Sequence, residues 1–145
     1  MAFDDVAIVD AIAARFVAYG APTGQTLRAA FAVPVDGLSI SPAIIVYPSS
    51  DSVSYGSANR QVTAEFIARC YIPAQGDTER RYRTLLLWRS HLRDAFNGAV
   101  LLSGNVSQIS VTGTSISQDT YADNEYLVVE VNLEATKVEA INVAG

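Results

Sequence analysis

The stretch "QVTAEFIARCYIP", residues 61–73, decides the fold. Val62, Ala64, Phe66, Ala68, Cys70 and Ile72 fall on one side of it, and Gln61, Thr63, Glu65, Ile67, Arg69 and Tyr71 on the other. A period of two marks a half-buried β-strand, because successive side chains point to opposite faces. Cys70 stands on the apolar side, so it reads as a small core residue rather than a nucleophile. It is the only cysteine, which excludes an intramolecular disulfide.

Downstream, "EYLVVEVNLEATKV" (residues 125–138) repeats the pattern. Leu127, Val129, Val131, Leu133 and Ala135 alternate with Tyr126, Val128, Glu130, Asn132 and Glu134. One apolar and one polar face suit an antiparallel sheet that is covered on one side. Upstream, "AIIVYP" (43–48) reads as a short apolar strand ended by Pro48, and "TLRAAFAV" (26–33) as a half-buried strand carrying Leu27, Ala29, Phe31 and Val33. "AVLL" (99–102) and "NVSQISVTG" (105–113) read as further strands.

Two segments change period. In "FDDVAIVDAIAARFVAYG" (3–20), Ile8, Val9, Ile12, Phe16 and Tyr19 recur at helical spacing, with Val6, Ala13 and Val17 on an adjoining face. Asp4 and Asp5 suit the positive end of the helix dipole, and Gly20 with Pro22 supplies a stop. In "TERRYRTLLLWRSHLRDAFNG" (78–98), Asp77 is the N-cap and Asn97-Gly98 the C-terminal signal. Leu85, Trp88, Leu92 and Phe96 form its core stripe, with Tyr82 at the edge. Leu87 lies opposite, beside Arg80, Arg83, His91 and Asp94, as an interface candidate on an exposed cationic face.

The order is α-β-β-β-α-β-β-β, with links mostly too short for helical crossovers. This predicts an α+β fold, a largely antiparallel mixed sheet packed by two helices, in one domain over residues 1–145. Residues 137–145 carry no cap or turn signal and are expected to form a mobile tail. Half of the residues are hydrophobic and 17% charged, which supports a packed core and excludes a disordered chain. A net charge of −5 disfavours tight binding of a phosphate backbone. The N-terminus "MAFDD" is acidic where a secretory signal has a basic region, and no apolar run spans a bilayer, so a cytoplasmic site of synthesis is expected.

Between two apolar runs lies "YPSSDSVSYGSANR" (47–60). It lacks the glycines and lysine of a phosphate-binding loop, and Gly56 leads into a strand rather than a helix, unlike a nucleophile elbow. The only histidine, His91, sits among arginines on a helix, a poor base for a serine nucleophile. No His or Cys pair has metal-ligand spacing, and the loop holding Asp119, Asp123 and Glu125 lacks the spacing of a calcium site. The serine stretch therefore reads as a long exposed loop, poorly ordered in a lone subunit, that touches a partner through Asp51, Tyr55 and Arg60. Deleting residues 50–59 is expected to leave the fold intact and to impair joining to the partner.

The run "SPAIIVYPSSDSVSYGSANRQVTAEFIARCYIP", then "RRYRTLLLWRSHLRDAF", then "EYLVVEVNLEATKVEAI", resembles the tail terminator proteins of long-tailed phages and prophages. The likeness runs from the first helix to Val138 and rests on the order and texture of the segments. It implies a small α+β domain that assembles into a hexameric ring. Such a ring caps the tail tube, ends polymerisation of the tail tube protein and meets the head-side connector protein. DNA passes through its lumen unbound, and no catalytic residue, metal or cofactor is involved. The implied location is the virion neck, reached from the host cytoplasm. Ring closure is expected where Arg80, Arg83 or Arg93 of one subunit meets Glu65, Glu130 or Glu134 of the next. Three other readings remain open: another neck component, a small hydrolase with a serine near His91, and a ligand-binding domain with a deep apolar pocket.

Overall fold

A computed structural model describes residues 3–97 and 102–140. The elements are α1 (Asp5–Tyr19), β1 (Ala29–Phe31), β2 (Ala43–Tyr55), β3 (Asn59–Pro73), α2 (Thr78–Arg93), a 3₁₀ turn (Leu102–Gly104), β4 (Gln108–Tyr121) and β5 (Asn124–Ala140). The fold is α+β. Among the described residues a five-stranded sheet has the order β1-β2-β3-β5-β4, and only its β1–β2 pair is parallel. The β2–β3, β3–β5 and β4–β5 pairs are antiparallel.

The period-two pattern of residues 61–73 puts Val62, Ala64, Phe66, Ala68, Cys70 and Ile72 on the helix-covered face, all buried. Directly across, β5 contributes Leu127, Val129, Val131, Leu133 and Ala135 to the same core. Both helices lie on this face, α1 against β1 and β2, α2 against β4 and β5. α1 buries Ile8, Val9, Ile12, Ala13 and Phe16, whereas Val6 and Val17 are exposed. α2 buries Leu85, Trp88 and Leu92, and Phe96 follows in the turn after the helix. Asp4 caps α1 by accepting from the amides of Val6 and Ala7, and Asp77 caps α2 by accepting from Arg80. Desolvation raises the pKa of the Cys70 thiol, as expected of a core thiol.

Several expectations need correction. The serine stretch is not a loop: residues 47–55 continue β2, and residues 59 and 60 already belong to β3. The hairpin is long because β3 keeps pairing with β2 on one side and β5 on the other out to Asn59. The connection holding Asp119, Asp123 and Glu125 is likewise strand and tight turn. Only Ala122 and Asp123 lie between β4 and β5, both at positive φ of 49° and 67°. Of the expected tail 137–145, residues 137–140 pair with β3 from Asn59 to Val62, and residues 141–145 lie outside the described residues. β1 is only three residues long, and Val33 beyond it is exposed. Of "AVLL", residues 99–101 lie outside the described residues, and Leu102 opens the 3₁₀ turn. Asp94 ends α2 before the Asn97-Gly98 signal.

The far face of the sheet is not uniformly solvated either. Ile45, Tyr71, Tyr126 and Val128 form a second buried cluster, covered by Phe31 at the end of β1 and by Val35 and Leu38 of the β1–β2 connection. Tyr121 donates its hydroxyl to the carbonyl of Val35, which ties that connection down.

The Ala122-Asp123 turn offers a stability test. Both positions need the left-handed region that a two-residue type I′ hairpin favours, and Asn-Gly fills it with less strain than Ala-Asp. Replacing Ala122→Asn together with Asp123→Gly is expected to stabilise the domain by about 1 kcal/mol, read as a higher urea midpoint. An unchanged or lower midpoint would show that the turn is not under this strain.

Candidate assembly surface

Beyond Ala64 and Ala135, where the helix-packed core ends, β2, β3 and β5 continue as a three-stranded arm made of residues 51–55, 59–63 and 136–140. A β-bulge between Pro48 and Asp51 sets which side chains the arm shows. The extra residue shifts the phase of β2, so Asp51, Val53 and Tyr55 pair with Ala64, Val62 and Arg60 on the helix-side face. Ser52 and Ser54 point the other way, opposite Thr63 and Gln61. The three contact residues expected from sequence, Asp51, Tyr55 and Arg60, thus share one face. Gly56 closes the tip: its amide donates to the carbonyl of Asn59 at 2.8 Å, and a Cβ there would collide with the Asn59 side chain.

Polar pairs hold the arm. Arg60 forms an ion pair with Glu139, which is 6% exposed. Lys137 is also largely buried on the same face. The hydroxyls of Thr63 and Thr136 stand 3.3 Å apart on the other face. At the base, Ser50 donates to Glu65 at 2.9 Å. There a groove of about 490 Å³ runs along Asp5, Ser49, Ser50, Asp51 and Glu65.

The charged partners expected between subunits are largely engaged within the chain. Glu130 accepts from Arg69 Nε at 3.0 Å, and Asp119 lies 3.4 Å from the same guanidinium. Arg69 also sits over the Tyr47 ring at 5.9 Å. Burial, then the hydrogen bond to Tyr71, pushes the Tyr47 hydroxyl well above its ordinary range. Arg83 pairs with Glu79 one turn away at 3.0 Å. Arg80, Arg83 and Leu87 share an open groove of about 390 Å³ on α2 with Asp77, Glu79 and Thr84. Helical period sets Arg93 on the opposite flank, so the expected α2 set is not one surface. Neither Arg80 nor Arg93 has an ion-pair partner among the described residues.

His91 is not on an exposed cationic face. It is half-buried, its Nε2 lies 2.9 Å from the carbonyl of Gly20, and its ring stacks on Tyr19 at 4.5 Å. Ser49 and Ser50 border the same groove as Asp5, at the other end of α1. A helix of 15 residues separates the two ends by roughly 21 Å, so the serine–histidine contact of the hydrolase reading does not form. Among the described residues no group of three or more His, Cys, Asp or Glu is placed to hold a metal ion. No helix among them is long and apolar enough to cross a membrane.

Sequence reading placed Tyr82 only at the edge of the core stripe and missed Leu86, 51% and 43% exposed on α2, as well as the buried Lys137 and Glu139. Residues 137 and 139 continue the every-second core positions 127–135 of β5, which was the available signal. No protein-family model matches the chain, and no curated protein sequence matches it significantly.

Proposed function

We propose that the chain is a structural assembly protein of the tail-terminator kind. In this reading it forms a ring of six copies on the tail tube of a phage or phage-like element, ends growth of the tube and joins it to the head-side connector. Its place would be the neck of the virion, after assembly in the host cytoplasm. The observation that carries the reading is the arm. It extends the sheet beyond the helix-packed core with exposed Asp51, Val53 and Tyr55 on one face and Ser52 and Ser54 on the other. A domain whose sheet outruns its own helices offers backbone and side chains to a neighbour. The acidic balance of −5 suits a lumen through which DNA slides without being gripped.

The test uses the tube protein of the element that carries this chain. Tubes polymerised with the chain present are expected to stop at a defined length with a ring at one end by electron microscopy. Light scattering should give the mass of a closed oligomer in the presence of short tubes. Tubes that grow to the same lengths with and without the chain would remove the reading.

A further inference from the structure

We infer that the free edge of β4, with the adjoining flank of α2, receives the β2 arm of a second copy of this chain. This names the contact for the proposed ring and rests on that reading for the number of copies alone.

Among the described residues both outer edges of the sheet are open, and β4 pairs only with β5. Its residues 108–118, "QISVTGTSISQ", contain no charge and no proline. Edge strands are ordinarily blunted by such residues, and the bulge between Val111 and Gly113 is the one such device here. At the far edge, β1 pairs with β2 only from Ala43 to Ile45, which leaves residues 46–55 of β2 open.

The two edges match in direction. Three antiparallel steps separate β2 from β4, so they run in opposite senses. A second copy set beside the first without inversion therefore brings its β2 antiparallel to β4 and continues the sheet. The contact is head-to-tail, the kind that closes a ring when repeated.

The side chains match as well. Tyr82, Leu86, Arg89 and Arg93 follow one flank of α2 at helical spacing. The other flank carries His91 against Gly20, and Thr84 and Arg80 beside Pro42 and Ile72. The Tyr82 flank thus faces away from α1 and toward the open β4 edge. There Nε of Arg89 is buried with no hydrogen-bond partner among the described residues. The incoming arm presents Asp51, Val53 and Tyr55 on this same helix side of the sheet, the last two 44% and 71% exposed. Because α2 starts beside Gln118 at the far end of β4, the incoming β2 runs in the same sense as α2, so Asp51 falls toward Leu86 and Arg89 and Tyr55 toward Arg93, where a carboxylate and an aromatic ring each meet a guanidinium group.

Cysteine cross-linking of the full chain tests this. Ser52→Cys is combined in turn with Gln108→Cys, Ser115→Cys and Ser117→Cys, all at exposed positions. Neighbouring strands bring Cβ atoms within disulfide reach at the right register. At least one pair should give a reducible ladder of oligomers on oxidation of the chain alone at high concentration. Absence of a ladder from all three, or single β4 cysteines that stop at a dimer through β4–β4 pairing, would overturn the inference. In a second measurement, Asp51→Arg and Arg89→Glu should each weaken self-association several-fold, and the double variant should recover it. A double variant no better than either single one rejects the side-chain match. A ladder from a chain that leaves tube length unchanged keeps the edge contact and removes tail capping. Capping by variants that never cross-link does the reverse.

Discussion

Trp88→Ala is expected to cost about 3–5 kcal/mol of folding stability, a large share of the roughly 5–15 kcal/mol that holds a domain together. Trp88 is 0% exposed at the centre of the α2 stripe, among residues of both helices and four strands. Its indole Nε1–H donates to Oε1 of Gln25 at 3.3 Å, so truncation also strands that acceptor. The cavity cannot collapse easily, because the helix is held on both sides: Asp77 caps its start and His91 bonds to Gly20 near its end. Leu87→Ala is the control. It changes the next residue of the same helix, but Leu87 is 42% exposed, and the change should stay within about 0.5 kcal/mol. The measurement is urea unfolding followed by circular dichroism, since the variant loses the only tryptophan. Equal losses from the two substitutions would mean that the core is not centred where described.

Replacing residues 52–63 by Asn-Gly should abolish self-association and leave the domain folded. Asp51 and Ala64 are directly paired, so a two-residue turn can join them. Residues 52–59 are exposed and contribute little packing. The main apolar loss is Val62, 5% exposed, worth about 2 kcal/mol of burial; residues 136–140 of β5 lose their β3 partners and Glu139 its ion pair with Arg60, and this end of β5 passes into solvent. At roughly 2–4 °C per kcal/mol for a domain of this size, the melting temperature should fall by about 4–8 °C. Association should fall below detection, because the truncated sheet has lost the open edge of β2 beyond Asp51 together with Val53 and Tyr55. Equilibrium sedimentation separates the outcomes. An unfolded product would show that the arm is part of the core, and undiminished association would show that copies meet elsewhere.

Much of the fold was legible in the sequence because its two central strands, β3 and β5, are long and strictly periodic. Alternation over residues 61–73 and 125–135 names the buried face of both, and the structure pairs those faces across the sheet. Helix stripes were equally plain, down to Leu85, Trp88 and Leu92. The serine stretch was not legible as strand, since serine, aspartate and glycine have poor strand propensity and hide the alternation. What makes it strand is pairing with residues 60–64, themselves supported by residues 135–139 of β5. The bulge between Pro48 and Asp51 inverts the local phase, which no periodic reading of residues 43–55 would find.

The candidate site divides the same way. Asp51, Tyr55 and Arg60 were identifiable as polar and aromatic groups between two strands, but only the bulge puts them on one face. Glu130 and Arg83 looked available in sequence and are held by Arg69 and Glu79. Local periodicity and capping, which act within a few residues, determined the helices, the central strands and the buried stripe of each. Long-range pairing decided the strand order, the length of the arm, the engagement of the charges and the two open edges, because each depends on which distant backbone lies alongside.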